Sequence, residues 1–191
     1  MFTQLRPAIV VFVALSIITG IVYPLAITGI AQTLFSHQAN GSLIVDGDTI
    51  VGSELIGQTF DDPKYFWSRP SAIGYNAAAS SGSNLGPTNS ALLDAVKGRV
   101  ETLQKADPAN KALIPVDLVT TSSSGLDPHI SPAAAEYQVN RVAKTRNLDS
   151  DVIRKLVAQH QEDRTFGVLG EPRINVLLLN RALDKANSVN R

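Results

Sequence analysis

Ala8 to Ile30 reads AIVVFVALSIITGIVYPLAITGI, the core of a longer run, from Pro7 to Ser36, that contains no charged residue. As an α-helix, a segment of 23 residues extends about 34 Å, which exceeds the roughly 30 Å hydrocarbon thickness of a bilayer. Thirteen of these residues are Leu, Ile, Val or Phe, which together contribute about −4 to −8 kcal/mol toward insertion. The stretch therefore predicts one transmembrane helix within an anchor of residues 1–35.

A cleaved signal peptide is the alternative interpretation of the same stretch. The triplet Gly29-Ile30-Ala31 offers small residues of the kind that precede a cleavage site. The apolar region of a signal peptide, however, is only ~7–15 residues long, and this one is far longer. We therefore expect the helix to stay attached to the rest of the chain.

The distribution of basic residues predicts the orientation of this helix. Arg6 precedes it, and the first basic residue after it is Lys64. Because positive charge is retained on the cytoplasmic side, we expect a cytoplasmic amino terminus. Residues 36–191 then form a domain outside the cytoplasm.

One face of the helix is lined with small residues, namely Ser16, Gly20, Pro24 and Thr28. Residues four apart stack on the same side of a helix, and small side chains let a second helix approach closely in lipid. Pro24 also leaves the carbonyl of Gly20 without its helical donor. This face is either a packing surface for other membrane helices or an instance of the general tolerance of membrane helices for Gly and Pro.

Composition excludes several classes of function. Beyond Arg6 the chain has sixteen basic and seventeen acidic residues, which leaves no basic footprint for nucleic acid. It has no cysteine, which excludes disulfides and thiolate metal sites. The three histidines are not spaced as paired metal ligands, and neither a Walker loop nor a serine nucleophile motif is present. The sequence does not indicate an enzyme.

Beyond the anchor, short β-rich runs alternate with helical patterns. Asp46-Gly47 predicts a hairpin with a type I′ turn, and the apolar piece of residues 166–172 predicts a further short strand. Residues 53–60 predict either another short strand or an extended segment. Helices are predicted from Thr88, after Asp107-Pro108 as far as Pro115, after Ser131-Pro132, after Asp149, and over residues 175–187. A few strands and about five helices make the domain α+β.

The aromatic run Tyr65-Phe66-Trp67 predicts at least one core anchor, since consecutive side chains cannot all face solvent. Arg69 follows it, and two interpretations remain open for this arginine: stacking on the aromatic rings, or contact with a ligand or partner.

Two long polar segments, NAAASSGSNLGPTN (Asn76–Asn89) and VTTSSSGLDPHIS (Val119–Ser131), are predicted loops. Long loops inside a compact domain are often functional, so we interpret both as contact surfaces; for the first loop, a flexible linker is the alternative. Asp127 and His129 are interpreted as a local hydrogen-bonded pair rather than a catalytic one. The candidate partner-contact residues are Arg69, Asn76, Ser81, Asn84, Thr88, Ser123, Asp127 and His129.

Several motifs together resemble one family. They are Thr19-Gly20 and Tyr23-Pro24 of the anchor, QANGSLI (38–44), YFWSRPSA (65–72), the first polar loop, SGLDPHISPAAAEYQVNRVAKTR (124–146) and LGEPRINVLLLNRALD (169–184). Over almost its whole length the chain is similar to the C subunits of the bacterial Kdp high-affinity potassium-transporting P-type ATPase.

The resemblance implies a single-pass subunit of the bacterial inner membrane with a periplasmic domain. Its implied partners are a channel-like potassium-translocating subunit, a P-type ATP-hydrolysing subunit, a small membrane subunit and the lipid bilayer. ATP and potassium are handled by the complex, and no cofactor is expected on this chain. The implied role is assembly of the complex together with a catalytic-chaperone effect that raises the ATP affinity of the pump subunit. The alternative is an anchored periplasmic module that binds a small ligand or nucleotide itself.

Overall fold

The structure is a computed structural model that describes residues 2–189, and it divides into two compact units. One unit extends to Val51, and the other begins at Gly52. The assignment of residues 36–191 to one extracytoplasmic domain stays a prediction.

The first unit is dominated by helix α1, Leu5–Leu34, which is long and apolar enough to cross a membrane. None of its most apolar window is buried, as expected for a surface that faces lipid or other helices. Thr19 donates its hydroxyl to the carbonyl of Leu15 at 2.7 Å, which satisfies this polar side chain within the helix itself. The predicted helix is confirmed.

Pro24 changes the winding of α1. Residues Ile18–Val22 form a π-helical turn, and the Tyr23 amide donates to the carbonyl of Ile18, five residues back. Because proline has no N–H to offer Gly20, the helix widens by one residue immediately before it, a common accommodation of such a gap.

A short helix α2, Ser36–Ala39, is followed by a hairpin of β1, Leu43–Asp46, and β2, Thr49–Ser53. The hairpin is confirmed, but its predicted type I′ turn is wrong. The two turn residues are Gly47 and Asp48, and only Gly47 has a positive φ, +59°. A positive φ at the first turn position alone is the type II′ pattern, which places its glycine there.

The described part of the second unit, residues 52–189, contains four α-helices and a small sheet. The helices are α3, Ser90–Ala106; α4, Pro132–Arg146; α5, Ser150–Gln159; and α6, Val176–Val189. Side-chain oxygens of Asn89, Ser131 and Asp149 accept from the first-turn amides of α3, α4 and α5. Of these, the caps predicted at Ser131 and Asp149 are therefore confirmed.

The sheet has three antiparallel strands in the order β3-β5-β4, with β3 at His129–Ile130, β4 at Gln161–Glu162 and β5 at Arg173–Asn175. Its inner side chains join those of α4, α5 and α6 in one core. The fully buried members of that core include Phe66, Val139, Val142, Ile174, Leu179 and Leu183. The α+β prediction is confirmed.

Two predicted elements are absent and one is reduced. The predicted helix after Asp107-Pro108 is a turn, in which the Asn110 side-chain amide donates to the carbonyl of Tyr137 at 2.9 Å. A 3₁₀ turn, Val116–Leu118, follows Pro115 instead. The apolar piece of residues 166–172 is not a strand but a tight turn closed by a bridge between Thr165 and Leu169, and its Phe166 is 89% exposed. Ser53 ends β2, and the rest of residues 53–60 contributes only a bridge from Ile56 to Ser53.

Candidate functional site

The aromatic segment is held by amide side chains from distant helices. Phe66 is fully buried, and Asn180 of α6 accepts from its N–H at 2.9 Å and donates to its C=O at 2.9 Å. Gln138 of α4 makes the same pair of bonds to Trp67, at 2.8 and 3.2 Å. Because a side-chain amide carries both N–H donors and a carbonyl acceptor, each one bonds this segment as a neighbouring strand would.

Arg141 completes this arrangement, which we call the amide clamp (Gln138, Arg141 and Asn180). Its guanidinium donates to the carbonyls of Pro63 and Tyr65, at 2.5 and 3.0 Å, and lies 4.2 Å from the centre of the Trp67 ring. Burial lowers the pKa of Arg141 to about 10. Among the described residues, the cations over the aromatic run are Arg141, over Trp67, and Lys64 and Arg146, 5.1 and 5.0 Å from the centre of the Tyr65 ring. Arg69 is not one of them, so its stacking interpretation is wrong.

Arg69 pairs with Asp127 instead. The guanidinium lies 2.9 Å from one carboxylate oxygen, and the other oxygen accepts from the backbone N–H of His129 at 3.0 Å and contacts its imidazole at 3.1 Å. Burial opposes ionisation of Asp127, but the bonds from His129 and the charge of Arg69 outweigh it, so the pKa is lowered. The predicted local pairing of Asp127 with His129 is confirmed.

The two polar loops pack against each other. The Ser81 amide donates to the carbonyl of Ser124 at 2.9 Å, and the Thr121 hydroxyl donates to the Ser83 hydroxyl at 3.1 Å. Gly125 has a φ of +68°, and a Cβ at this position would lie 2.6 Å from the carbonyl oxygen of Ser81. The close approach requires glycine there. This mutual packing argues against a flexible linker and makes the loops one surface, which we call the two-loop surface (residues 76–89 and 119–131).

The candidate contact residues fall into two groups. Arg69, Asp127 and His129 form a half-buried cluster. The others are exposed on the two-loop surface: Asn76, Ser81, Asn84, Thr88 and Ser123. The Asn76 side chain accepts a local hydrogen bond from the Ala78 amide at 3.0 Å. The backbones of the two loops approach closely at Gly82, where a Cβ would lie 2.8 Å from the Ser123 carbonyl oxygen. The surface is therefore polar, small in its side chains and held in shape by backbone contacts.

A cavity of about 510 Å³ lies beside Arg69. Its wall includes Trp67, Arg69, Tyr75 and Arg99, and the Tyr75 hydroxyl donates to the carbonyl of Arg69. Burial lowers the pKa of Arg99, whose guanidinium donates to the Val119 carbonyl at 2.8 Å. Sequence reasoning missed Tyr75, Arg99 and the amide clamp. The one available signal was a lone amide, Gln138 or Asn180, on an otherwise apolar helix face.

No group of three or more His, Asp or Glu positioned to hold a metal occurs among residues 2–189. On α1, the small residues Ser16, Gly20, Pro24 and Thr28 are all exposed, and a Cβ built on Gly20 meets nothing within 4 Å. That face has room for another helix.

The fold and this site define a class of small α+β protein whose chain begins with one apolar helix long enough to cross a membrane. The model of the KdpC family, described as the K⁺-transporting ATPase c chain, matches residues 5–185. The chain belongs to this family.

Individual relatives agree with the family assignment. The potassium-transporting ATPase KdpC subunit of Polaromonas naphthalenivorans (strain CJ2) is 61% identical over 97% of this chain and 96% of its own length. The KdpC subunit of Dechloromonas aromatica (strain RCB) is 60% identical over 98% of this chain and all of its own length. That of Sorangium cellulosum (strain So ce56) is 58% identical over 97% of this chain.

Proposed function

We propose that this chain is a non-catalytic subunit of an ATP-driven potassium-uptake complex, which it assembles and stabilises. The observation that carries the proposal is helix α1, which is unburied along its apolar length and has a face of small residues with room beside Gly20. Such a face packs closely against another membrane helix. The similarity to potassium-transporting ATPase subunits supports the same role.

The partners we propose are a channel-like potassium-translocating subunit, a P-type ATP-hydrolysing subunit and a small membrane subunit. The two-loop surface would contact their extracytoplasmic face on the side from which potassium enters. It suits this use because it is uncharged over most of its length and is held in shape by contacts such as that between Ser81 and Ser124.

The further role we propose is that of a catalytic chaperone which raises the ATP affinity of the pump subunit. With the predicted topology, the domain cannot touch a cytoplasmic nucleotide site. The effect must then travel through membrane helices or the outer face of the partner, as a coupling free energy of about 1–3 kcal/mol between two states of the pump.

Two matched α1 variants test helix packing within the full complex. Gly20→Leu fills the small face, whereas Ala26→Leu makes a similar change on the opposite side of the helix. We expect both variants to insert into membranes, and only Gly20→Leu to lose co-purification with the other subunits. Equal recovery of the complex with the two variants would contradict the packing role.

Site-specific crosslinking tests the two-loop surface. Because the chain has no cysteine, Ser81→Cys and Ser123→Cys each create a unique attachment point for a photo-crosslinker. We expect capture of extracytoplasmic partner segments from both positions, and none from a control cysteine at exposed Lys155 on α5. Capture of cytoplasmic segments alone, or of nothing, would overturn this placement.

A membrane-anchored binding module is the second candidate function, and the 510 Å³ cavity favours it. Ligand pockets of ≈ 300–1,000 Å³ with aromatic walls and a few polar groups are typical binding sites. Titration of the full chain in nanodiscs with ATP or potassium, followed by Trp67 fluorescence, separates the two candidates. Saturable binding without the other subunits favours the module, and its absence favours the assembly subunit.

A further inference from the structure

Strand β3 is one of the two outer strands of the three-stranded sheet, and its register shows which of its backbone groups face outward. His129 lies opposite Asn175, and Ile130 lies opposite Ile174. The Val176 amide donates to the carbonyl of Pro128, so the hydrogen-bonded positions of β3 are 128 and 130. The N–H groups of His129 and Ser131 therefore point away from β5, toward the open edge.

Open edges are a hazard because their free N–H and C=O groups form a template for a strand from another molecule. Here both outward N–H groups are occupied by carboxylates. The His129 amide donates to Asp127 at 3.0 Å, and the Ser131 amide donates to Asp117 at 2.8 Å.

The two carboxylates are themselves held in position. The second oxygen of Asp127 lies 2.9 Å from the Arg69 guanidinium. The second oxygen of Asp117 accepts from the Ser131 hydroxyl at 3.2 Å, and that hydroxyl also caps α4. Asp117 belongs to the 3₁₀ turn and Asp127 to the second polar loop, so two separate segments converge on one edge.

A surface groove of about 500 Å³ runs along this edge, and its wall includes Val116, Asp117, Asp127, Ile130 and Pro172. An incoming strand would lie in this groove. Its carbonyls would find no free N–H at positions 129 and 131, and they would meet two carboxylates instead.

We propose that Asp117 and Asp127 close the β3 edge, so that the domain does not pair through this strand with a second copy of the chain. The two aspartates thus exclude strand pairing at this edge and leave the rest of the two-loop surface available for contact. This role is independent of which subunits the chain assembles with.

Residue-resolved amide exchange on the full chain in detergent micelles tests the closure. We expect Asp127→Ala to accelerate exchange at His129, and Asp117→Ala to accelerate it at Ser131, each at least tenfold. The core amides of Val139 and Val142 should stay protected, and the isosteric Asn variants should restore slow exchange, because the Asn carbonyl accepts the same bond. Exchange that rises equally at the core amides, or at neither edge amide, would overturn the proposal.

Sedimentation of the same micellar samples tests the consequence for association. The Asp117→Ala/Asp127→Ala double variant should form dimers at protein concentrations where the wild type and an exposed-site control, Asp94→Ala, remain monomeric. A double variant with fast exchange at both edge amides and a wild-type sedimentation profile would show that the carboxylates do not prevent pairing.

Discussion

Helix α1 and the aromatic segment of residues 62–68 satisfy their backbone groups in opposite ways. The helix bonds to itself, including the Thr19 hydroxyl and the π-helical turn that accommodates Pro24. The aromatic segment has no strand beside it, and it depends on the amide clamp, whose residues lie 71 or more positions away. A membrane span is thus a property of local sequence, whereas the clamped segment exists only when the domain is folded.

The largest effect should come from removing the side chain that the clamped segment buries. Phe66→Ala should lower the free energy of unfolding of the full chain in micelles by about 3–5 kcal/mol, because it removes a fully buried ring and leaves a cavity. Fluorescence of Trp67, the one tryptophan, reports the unfolding of this region. The matched variant Phe166→Ala, which removes an 89% exposed ring, should change the free energy of unfolding by less than about 0.5 kcal/mol. Similar losses for the two variants would contradict the assigned core.

The next effect isolates the clamp from the packing. Asn180→Ala leaves the buried N–H and C=O of Phe66 without partners, and we expect a loss of about 2–4 kcal/mol by denaturant titration. Asn140→Ala removes an exposed amide on α4 and should have little effect. If Asn180→Ala matched its control, the segment would be held by apolar contacts alone.

A smaller effect should come from the contact between the polar loops. Gly125→Ala places a Cβ 2.6 Å from the Ser81 carbonyl at a positive φ, and we expect a loss of about 1–3 kcal/mol in thermal unfolding. Gly86→Ala, in the first loop but with open space around it, is the control and should be neutral. Equal stability of both variants would mean that the loops do not depend on this close approach.

The smallest effect should be the pH dependence of the Arg69–Asp127 pair. Because the native pKa of Asp127 is lowered from 3.8, its contribution is present above that pH and is lost as pH falls through the native value. The difference in unfolding free energy between wild type and Asp127→Asn should therefore persist at neutral pH and shrink below about pH 3.8. A difference that stays constant across this range would contradict the lowered pKa.

The same contrast explains what was predictable. Helix α1 and the caps at Ser131 and Asp149 follow from neighbouring residues, and so does the pairing of Asp127 with His129, two positions apart. These features depend on short-range geometry that the sequence displays directly.

Features that depend on distant residues were not predictable. Nothing local marks Arg69 as the partner of Asp127, 58 residues away, or Arg141 as the cation over Trp67. The segment after Asp107 carries helix-start residues, yet the bond from Asn110 to Tyr137 holds it as a turn. Proximity of the two polar loops likewise arises only in the folded domain.

The proposed topology places the folded domain outside the cytoplasm, across the membrane from the ATP site of the pump subunit. Labelling of single cysteines with a membrane-impermeant maleimide, in spheroplasts that express the full complex, tests it most directly. We predict that Ser123→Cys is labelled while the inner membrane is intact, and that Thr3→Cys is labelled only after lysis. Labelling of Ser123→Cys only after lysis would contradict the claim and place the domain in the cytoplasm.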